Sequence, residues 1–230
     1  LSGAVIEVYL GDYVDRGPDS AGVVRRLIQR ERSRNLVLMR GNHEILFAQA
    51  LEGALELREW ARFGGLQTLQ SYGVEAADWR NGGDWRGRLR ARIPAEHIRF
   101  LRTLFDWCWR GDYFFAHAGV RPGVPLQEQA PEDLGWIRAD FLDDERDHGA
   151  IVVHGHTPVA TPELRRNRIN LDTGAFVTGR LSCLRIDGDG ARLFGGGAET
   201  ALPARLLPSR LARLHKLGAA LRRGWRPIRP

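Results

Sequence analysis

Sulfur is scarce in this chain: its 230 residues include two cysteines and one methionine. Cys108 and Cys183 stand far apart in apolar stretches and form no CxxC pair. That excludes a disulfide scaffold and a thiolate zinc site, and both are expected as reduced core residues of a cytoplasmic protein. No apolar run approaches the roughly 18 to 20 residues of a membrane-spanning helix. The first eleven residues lack a Met, the basic flank of a signal peptide, and any Asp or His; the sequence is expected to begin inside a longer gene product. The last thirty residues lack acids altogether, while Arg205, Arg210, Arg213, Lys216, Arg222, Arg223, Arg226 and Arg229 supply eight basic groups. Taking those eight from the total of 34 leaves 26 basic against 28 acidic side chains in residues 1–200. The net charge of +6 is therefore a property of a tail and says nothing about a binding pocket, and no nucleic acid is expected as a partner.

What remains is an ordinary globular composition, 43% hydrophobic and 27% charged, long enough to bury a core of its own. Val5–Leu10 reads as a strand, Ser20–Arg32 as a helix with Ser20 at its N-cap, and Leu36–Met39 as a second strand. Ile45 to about Phe63 reads as helical with Leu51 and Leu55 on one face. Strand and helix alternating at this spacing imply parallel βαβ units. "GGLQTLQSYG" reads as a helix stopped by Gly73, and Pro94–Phe105 as a helix with Pro in its first turn. Further strands are expected at Tyr113–Ala116, Ala150–Val153, Arg168–Leu171, Leu181–Ile186 and Arg192–Phe194. The domain is assigned to residues 1–198 and the basic, helical-spaced tail to 199–230.

Polar residues gather where strands end. Gly11-Asp12 follows the first strand, "RGNHE" (Arg40–Glu44) the second, "HAG" (His117–Gly119) a third and "HGHTP" (His154–Pro158) a fourth. In open α/β sheets, ligands bind at the carboxyl ends of strands. Asp, Asn and His converging there form a mixed oxygen and nitrogen donor set that suits Mn, Fe or Zn rather than Ca. His154 precedes His156 by two and would share its face on a strand. His97, His148 and His215 have no motif around them and are expected in solvent, and Trp136 is expected to pack beneath Arg138.

"GDYVDRG", "RGNHE", "HAG" and "GHT", in that order, resemble the calcineurin-like metallophosphoesterases, and more narrowly the serine/threonine phosphoprotein phosphatase branch in its compact bacterial and phage form. The likeness runs from about residue 4 to 195 and includes "WIR" at 136–138 and "INLDTGA" at 169–175. It implies an α/β fold, a two-sheet β-sandwich flanked by helices, holding two divalent metal ions, with Mn foremost and Fe or Zn as alternatives. The resemblance implies that Asp12 bridges the metals and that Asn42, His117 and His156 are further ligands. It implies a His43–Asp15 pair as general acid and its orienter, and Arg16 and Arg138 as phosphate-gripping arginines. The implied reaction is in-line attack of a metal-held hydroxide on phosphorus, with guanidinium forks on the phosphate oxygens. The implied substrate is a phosphorylated protein or a small phosphate ester.

One departure qualifies this. The family's first motif, a D-x-H ahead of "GDxxDRG", has no counterpart before Asp12, and Glu7 sits five residues too early to replace it. The expectation is that the first strand and its ligands lie outside this sequence; the alternative is a non-catalytic, metal- or phosphate-binding remnant. A symmetrical dinucleoside-polyphosphate hydrolase is a further alternative, against which Asp15 and Glu44 argue. The tail has two readings as well: a basic amphipathic helix for an anionic membrane or an acidic partner, or a segment with neither role.

Overall fold

A computed structural model describes residues 5–79, 82–187, 190–195 and 198–201. The chain divides into two units, residues 1–105 and 106–230, so the division falls inside the single domain expected over 1–198. Residues 199–201 of the expected tail instead continue a strand of the domain, and the rest of the tail, including His215, lies outside the described residues.

In the first unit, β1 (Ile6–Tyr9) and β2 (Asn35–Leu38) pair in parallel, Ile6 opposite Asn35 through Tyr9 opposite Leu38. α1 (Ser20–Glu31) joins them and completes the expected βαβ unit. Its cap is not Ser20 but Asp19, whose carboxylate accepts the Gly22 N–H at 2.8 Å. Ser20 is the first helical residue and is buried, because its hydroxyl is engaged elsewhere. Among the described residues there follow α2 (Asn42–Glu52), α3 (Leu57–Ala61), α4 (Gly65–Ser71), α5 (Ala76–Trp79), α6 (Trp85–Arg92) and α7 (Ala95–Arg102). The expected continuous helix from Ile45 to Phe63 is broken after Glu52. Gly53 takes a left-handed φ of 89° as a C-cap, and Leu55 falls in the gap between α2 and α3. α4 ends ahead of Gly73, whose φ is 75°, as the sequence implied. α7 stops at Arg102 rather than Phe105, because Phe105 is drawn out beside β2. Its N–H donates to the Leu38 carbonyl at 2.9 Å, and its own carbonyl accepts the Arg40 N–H at 2.7 Å.

The core of this unit is aromatic. Phe47 and Trp60 stack at 5.5 Å, with Val24, Met39 and Leu69 also fully buried. His97, expected in solvent, is buried in this core, where its Nδ1 pairs with the Tyr72 hydroxyl at 2.9 Å.

The second unit is built on a five-stranded mixed sheet in the order β3-β4-β5-β7-β6. β3 (Trp107–Arg110) and β4 (Tyr113–Ala116) form an antiparallel hairpin. β4, β5 (Ile151–His154) and β7 (Arg168–Asn170) run parallel, and β6 (Glu163–Leu164) closes the edge antiparallel. α8 (Pro131–Trp136) and α9 (Ala139–Leu142) lie between β4 and β5, and α10 (Ala175–Thr178) follows β7. β8 (Ser182–Asp187), β9 (Gly190–Gly195) and β10 (Ala198–Ala201) form a separate antiparallel sheet. Phe114, Ala116, Ala118, Phe141 and Val152 are fully buried together. Cys183 is exposed on β8 rather than in a core, since alternation on that strand turns it outward. Cys108 is half-buried, and burial pushes its thiol up to about 12.

Candidate phosphoesterase site

After β1 the chain enters an unusual turn. Asp12, Asp15 and Arg16 have φ of 60°, 69° and 58°, and Gly11 precedes them at 100°. His156, at 66°, is the other non-glycine residue with positive φ among the described residues. Left-handed backbone disfavours side chains with a Cβ and persists only where the surroundings enforce it. Here all four such residues belong to the sequence-singled motifs.

The enforcement in the first unit comes from Glu44. Its buried carboxylate accepts four backbone N–H groups: Asp12 and Gly41 at 2.9 Å on Oε2, and Tyr13 at 2.6 Å and Val14 at 3.3 Å on Oε1. Gly41 is the N-cap of α2 and Glu44 its third residue, so the carboxylate caps its own helix while it shapes the loop after β1. Gly41 is required here, because a Cβ would run into the Asp12 carboxylate. Asp12 is exposed, and its Oδ1 accepts the His43 N–H at 3.3 Å. Asn42 and His43, the first residues of α2, are buried.

His43 Nδ1 lies 2.8 Å from Asp15 Oδ2, with both side chains almost wholly out of solvent. A carboxylate only accepts, so Nδ1 carries the hydrogen and a second proton would sit on Nε2. Burial works to lower the His43 pKa, but the hydrogen bond to Asp15 and the charges of Asp12 and Asp15 outweigh it, and the net shift is upward. Arg16 is exposed, and its N–H is fixed by the Gly64 carbonyl at 3.1 Å. Gly64 has a φ of 94°, and a Cβ there would approach Arg16 N to 2.5 Å.

In the second unit, the carboxyl ends of β4 and β5 carry buried His117 and His156, with His117 Nε2 3.2 Å from His156 Nδ1. Two imidazole nitrogens converging in this way match a shared cation better than they match each other. β5 ends at His154, and the turn at His156 breaks the strand alternation that would have put both rings on one face. His154 instead turns into the core, edge-on to Phe141 at 5.0 Å, with Nδ1 on the Gly155 carbonyl. Burial pushes its pKa down to about 4. His148, expected in solvent, is half-buried against Phe141. Trp136 sets its ring edge-on to His156 at 6.0 Å. Arg138 is exposed and reaches Thr157 Oγ1 at 3.4 Å.

Several contributors escaped the sequence reading. Asn170, in "INLDTGA", holds the Thr157 carbonyl at 2.8 Å from a buried position. Trp60 and Thr68 hold Asp15. Glu7 is occupied by Arg30, at 2.6 and 2.8 Å.

Residues 4–185 match the family model for calcineurin-like phosphoesterases. A serine/threonine-protein phosphatase 1 of Salmonella typhimurium is 32% identical over 195 residues, 78% of this chain and 77% of the relative. An asymmetrical bis(5'-nucleosyl)-tetraphosphatase of Anoxybacillus flavithermus is 27% identical over 196 residues, 77% of this chain and 74% of the relative. The crystal structure of a cold-active protein-tyrosine phosphatase of a psychrophilic Shewanella is alike in fold, with a TM-score of 0.55 at 17% identity over 87% of this chain and 70% of that one. The ordered motifs, the left-handed turns that carry them and the matched span together make the chain a member of the calcineurin-like phosphoesterases, a family of metal-dependent hydrolases.

Proposed function

We propose that the chain hydrolyses phosphate monoesters of the phosphoserine and phosphothreonine kind, with Asp12, Asn42, His117 and His156 as metal ligands. The observation that carries this is the buried His43–Asp15 pair at 2.8 Å, with the His43 N–H donated to the Asp12 carboxylate at 3.3 Å. A carboxylate, an amide and two imidazoles fit a pair of divalent cations, Mn foremost, with Fe or Zn as alternatives. Such cations, when bound, supply neutralisation of phosphate charge and an activated water.

The remaining tasks fall to side chains. His43 gives its Nε2 proton to the departing alkoxide, which aryl esters with good leaving groups need far less than alkyl esters do. Asp15 accepts the Nδ1–H and, with Asp12, favours the doubly protonated imidazolium, whose Nε2 proton is the one to give. Arg16 and Arg138 are exposed and carry the fork geometry that suits phosphate oxygens.

A second reading is favoured by the tetraphosphatase relatives: cleavage of a dinucleoside tetraphosphate, asymmetrical as in those relatives rather than of the symmetrical kind weighed from sequence. Turnover of p-nitrophenyl phosphate, a phosphoserine peptide and diadenosine tetraphosphate with Mn²⁺ separates the readings. Preference for the phosphopeptide supports the first, and preference for the dinucleotide the second. Metal binding without turnover of any of them would leave the non-catalytic remnant.

A further inference from the structure

Asp15 is held more tightly than an orienting carboxylate needs for one hydrogen bond to His43. Thr68 Oγ1 donates to Asp15 Oδ1 at 2.6 Å, and Trp60 Nε1 donates to Oδ2 at 3.1 Å, the oxygen that also faces His43. The Asp15 N–H is shared between Thr68 Oγ1 at 2.8 Å and Ser20 Oγ at 3.1 Å. Ser20 and Thr68 oxygens are themselves 3.1 Å apart. Thr68 has one hydroxyl proton, and Asp15 takes it, so the proton between the two hydroxyls belongs to Ser20. Every donor and acceptor in this set then has one assignment. Asp15, Ser20 and Thr68 are buried, Trp60 is fully so, and its ring is clamped by Phe47 at 5.5 Å and Trp85 at 6.1 Å. A buried network with all members satisfied fixes one geometry.

We infer that Thr68 and Trp60 are positioning residues for the leaving-group proton: they fix the Asp15 carboxylate, and through it His43, without touching the substrate. The inference rests on the proposed hydrolysis and adds to it which residues outside the recognised motifs set the acid. Both positions reach Asp15 from 45 and 53 residues away in sequence, so no local pattern around "GDYVDRG" reveals them. Outer-shell partners of this sort change function by about 10- to 100-fold when removed. That is below the about 10² to 10⁴-fold of the general acid itself.

The test uses Trp60→Phe, which keeps the packed ring and removes the N–H, and Thr68→Val, which keeps the shape and removes the hydroxyl. Thr68→Ser restores the hydroxyl. On phenyl phosphate with Mn²⁺, Trp60→Phe and Thr68→Val should each lose at least about tenfold in kcat with KM held. On p-nitrophenyl phosphate, with its better leaving group, the loss should be several-fold smaller, and Thr68→Ser should recover most of it. In a His43→Asn background, Thr68→Val should cost nothing further. Equal losses on both esters, or a full additional loss in the His43→Asn background, would overturn the inference. A second readout needs no turnover: in the metal-free chain, the His43 Nδ1 proton should give a sharp, exchange-protected NMR signal in the starting protein and in Thr68→Ser. It should broaden in Thr68→Val and Trp60→Phe, and an unchanged signal in both would equally overturn the role. A starting protein that hydrolyses no ester counts against the proposed function, and the proton signal then decides the positioning role alone.

Discussion

His154 shows how residue-level chemistry can run against a motif. It stands two residues from His156 in "HGHTP", yet its ring is sealed beside Phe141 and its Nδ1 is held by the Gly155 carbonyl at 3.1 Å. Burial disfavours the imidazolium and Arg168 adds to that, so the folded pKa lies at about 4 against an ordinary value near 6.5. With a depressed folded pKa, the unfolded chain takes up a proton first as the pH falls. The stabilisation is present above pH 6.5 and drains away between 6.5 and about 4, on the order of 3 kcal/mol over that window. Urea unfolding of the starting protein and of His154→Asn, whose amide can still reach the Gly155 carbonyl, measures it. Their difference should shrink steadily as the pH falls from 6.5 to 4, and a constant difference would show that His154 does not stay neutral in the fold.

At the scale of elements, α2 is the part that joins stability to chemistry. Its first turn presents Asn42 and His43 while Glu44 binds the loop after β1. Its far end is held by α6, where Arg86 Nε donates to the Ala50 carbonyl at 2.8 Å and Arg90 to the Leu51 carbonyl. Guanidinium groups on the last carbonyls of a helix also suit its dipole. Thus the arginines of 86–92, which in sequence make a basic run, are engaged on the protein itself. Glu44→Gln should turn an amide donor toward backbone N–H groups and cost about 2–3 kcal/mol. It should also loosen Asp12, seen as faster hydrogen exchange at residues 12–14; unchanged exchange there would deny Glu44 its hold on the loop. Much of this level was legible in the sequence. β4 matches its expected bounds of Tyr113–Ala116 in full, because "YFFA" lies between a Gly-Asp turn and a motif. The break at Gly53 is hidden in the sequence because a glycine inside an apolar helical pattern is often tolerated. β3 and β6 leave no mark in the sequence, because "WCWR" shows no clean alternation and a two-residue edge strand offers nothing to count. The chemistry-bearing motifs could be read because each is contiguous. Their supports, Thr68, Trp60 and Asn170, could not, because hydrogen bonds across dozens of residues leave no periodic trace.

For the molecule as a whole, charge is distributed unevenly along the chain. Residues 201–230 hold eight basic groups and no acid, whereas residues 1–200 are close to neutral. No helix among the described residues is long and apolar enough to cross a membrane. Attraction to an anionic surface is worth about 1 kcal/mol per basic residue near it and fades as salt screens it. On the anchor reading of the tail, the intact chain should co-sediment with anionic vesicles at low salt and leave them at high salt. Replacing Arg222, Arg223, Arg226 and Arg229 by Gln should shift release to lower salt without changing hydrolysis of p-nitrophenyl phosphate. Unaltered release would place the attraction elsewhere on the surface.

The left-handed turn at Arg16 sets heat resistance against turnover. Holding a residue with a Cβ at a φ of 58° costs roughly 1–2 kcal/mol that glycine would not incur. The Arg16 N–H bond to Gly64 belongs to the backbone, so Arg16→Gly keeps it while relieving the left-handed strain. After allowance for glycine's looser unfolded chain, its melting temperature should hold or rise by a few degrees while inhibition by phosphate weakens. A population screened for thermal survival alone would be expected to drift toward glycine at this position, and only a demand for phosphate binding would keep the arginine in place.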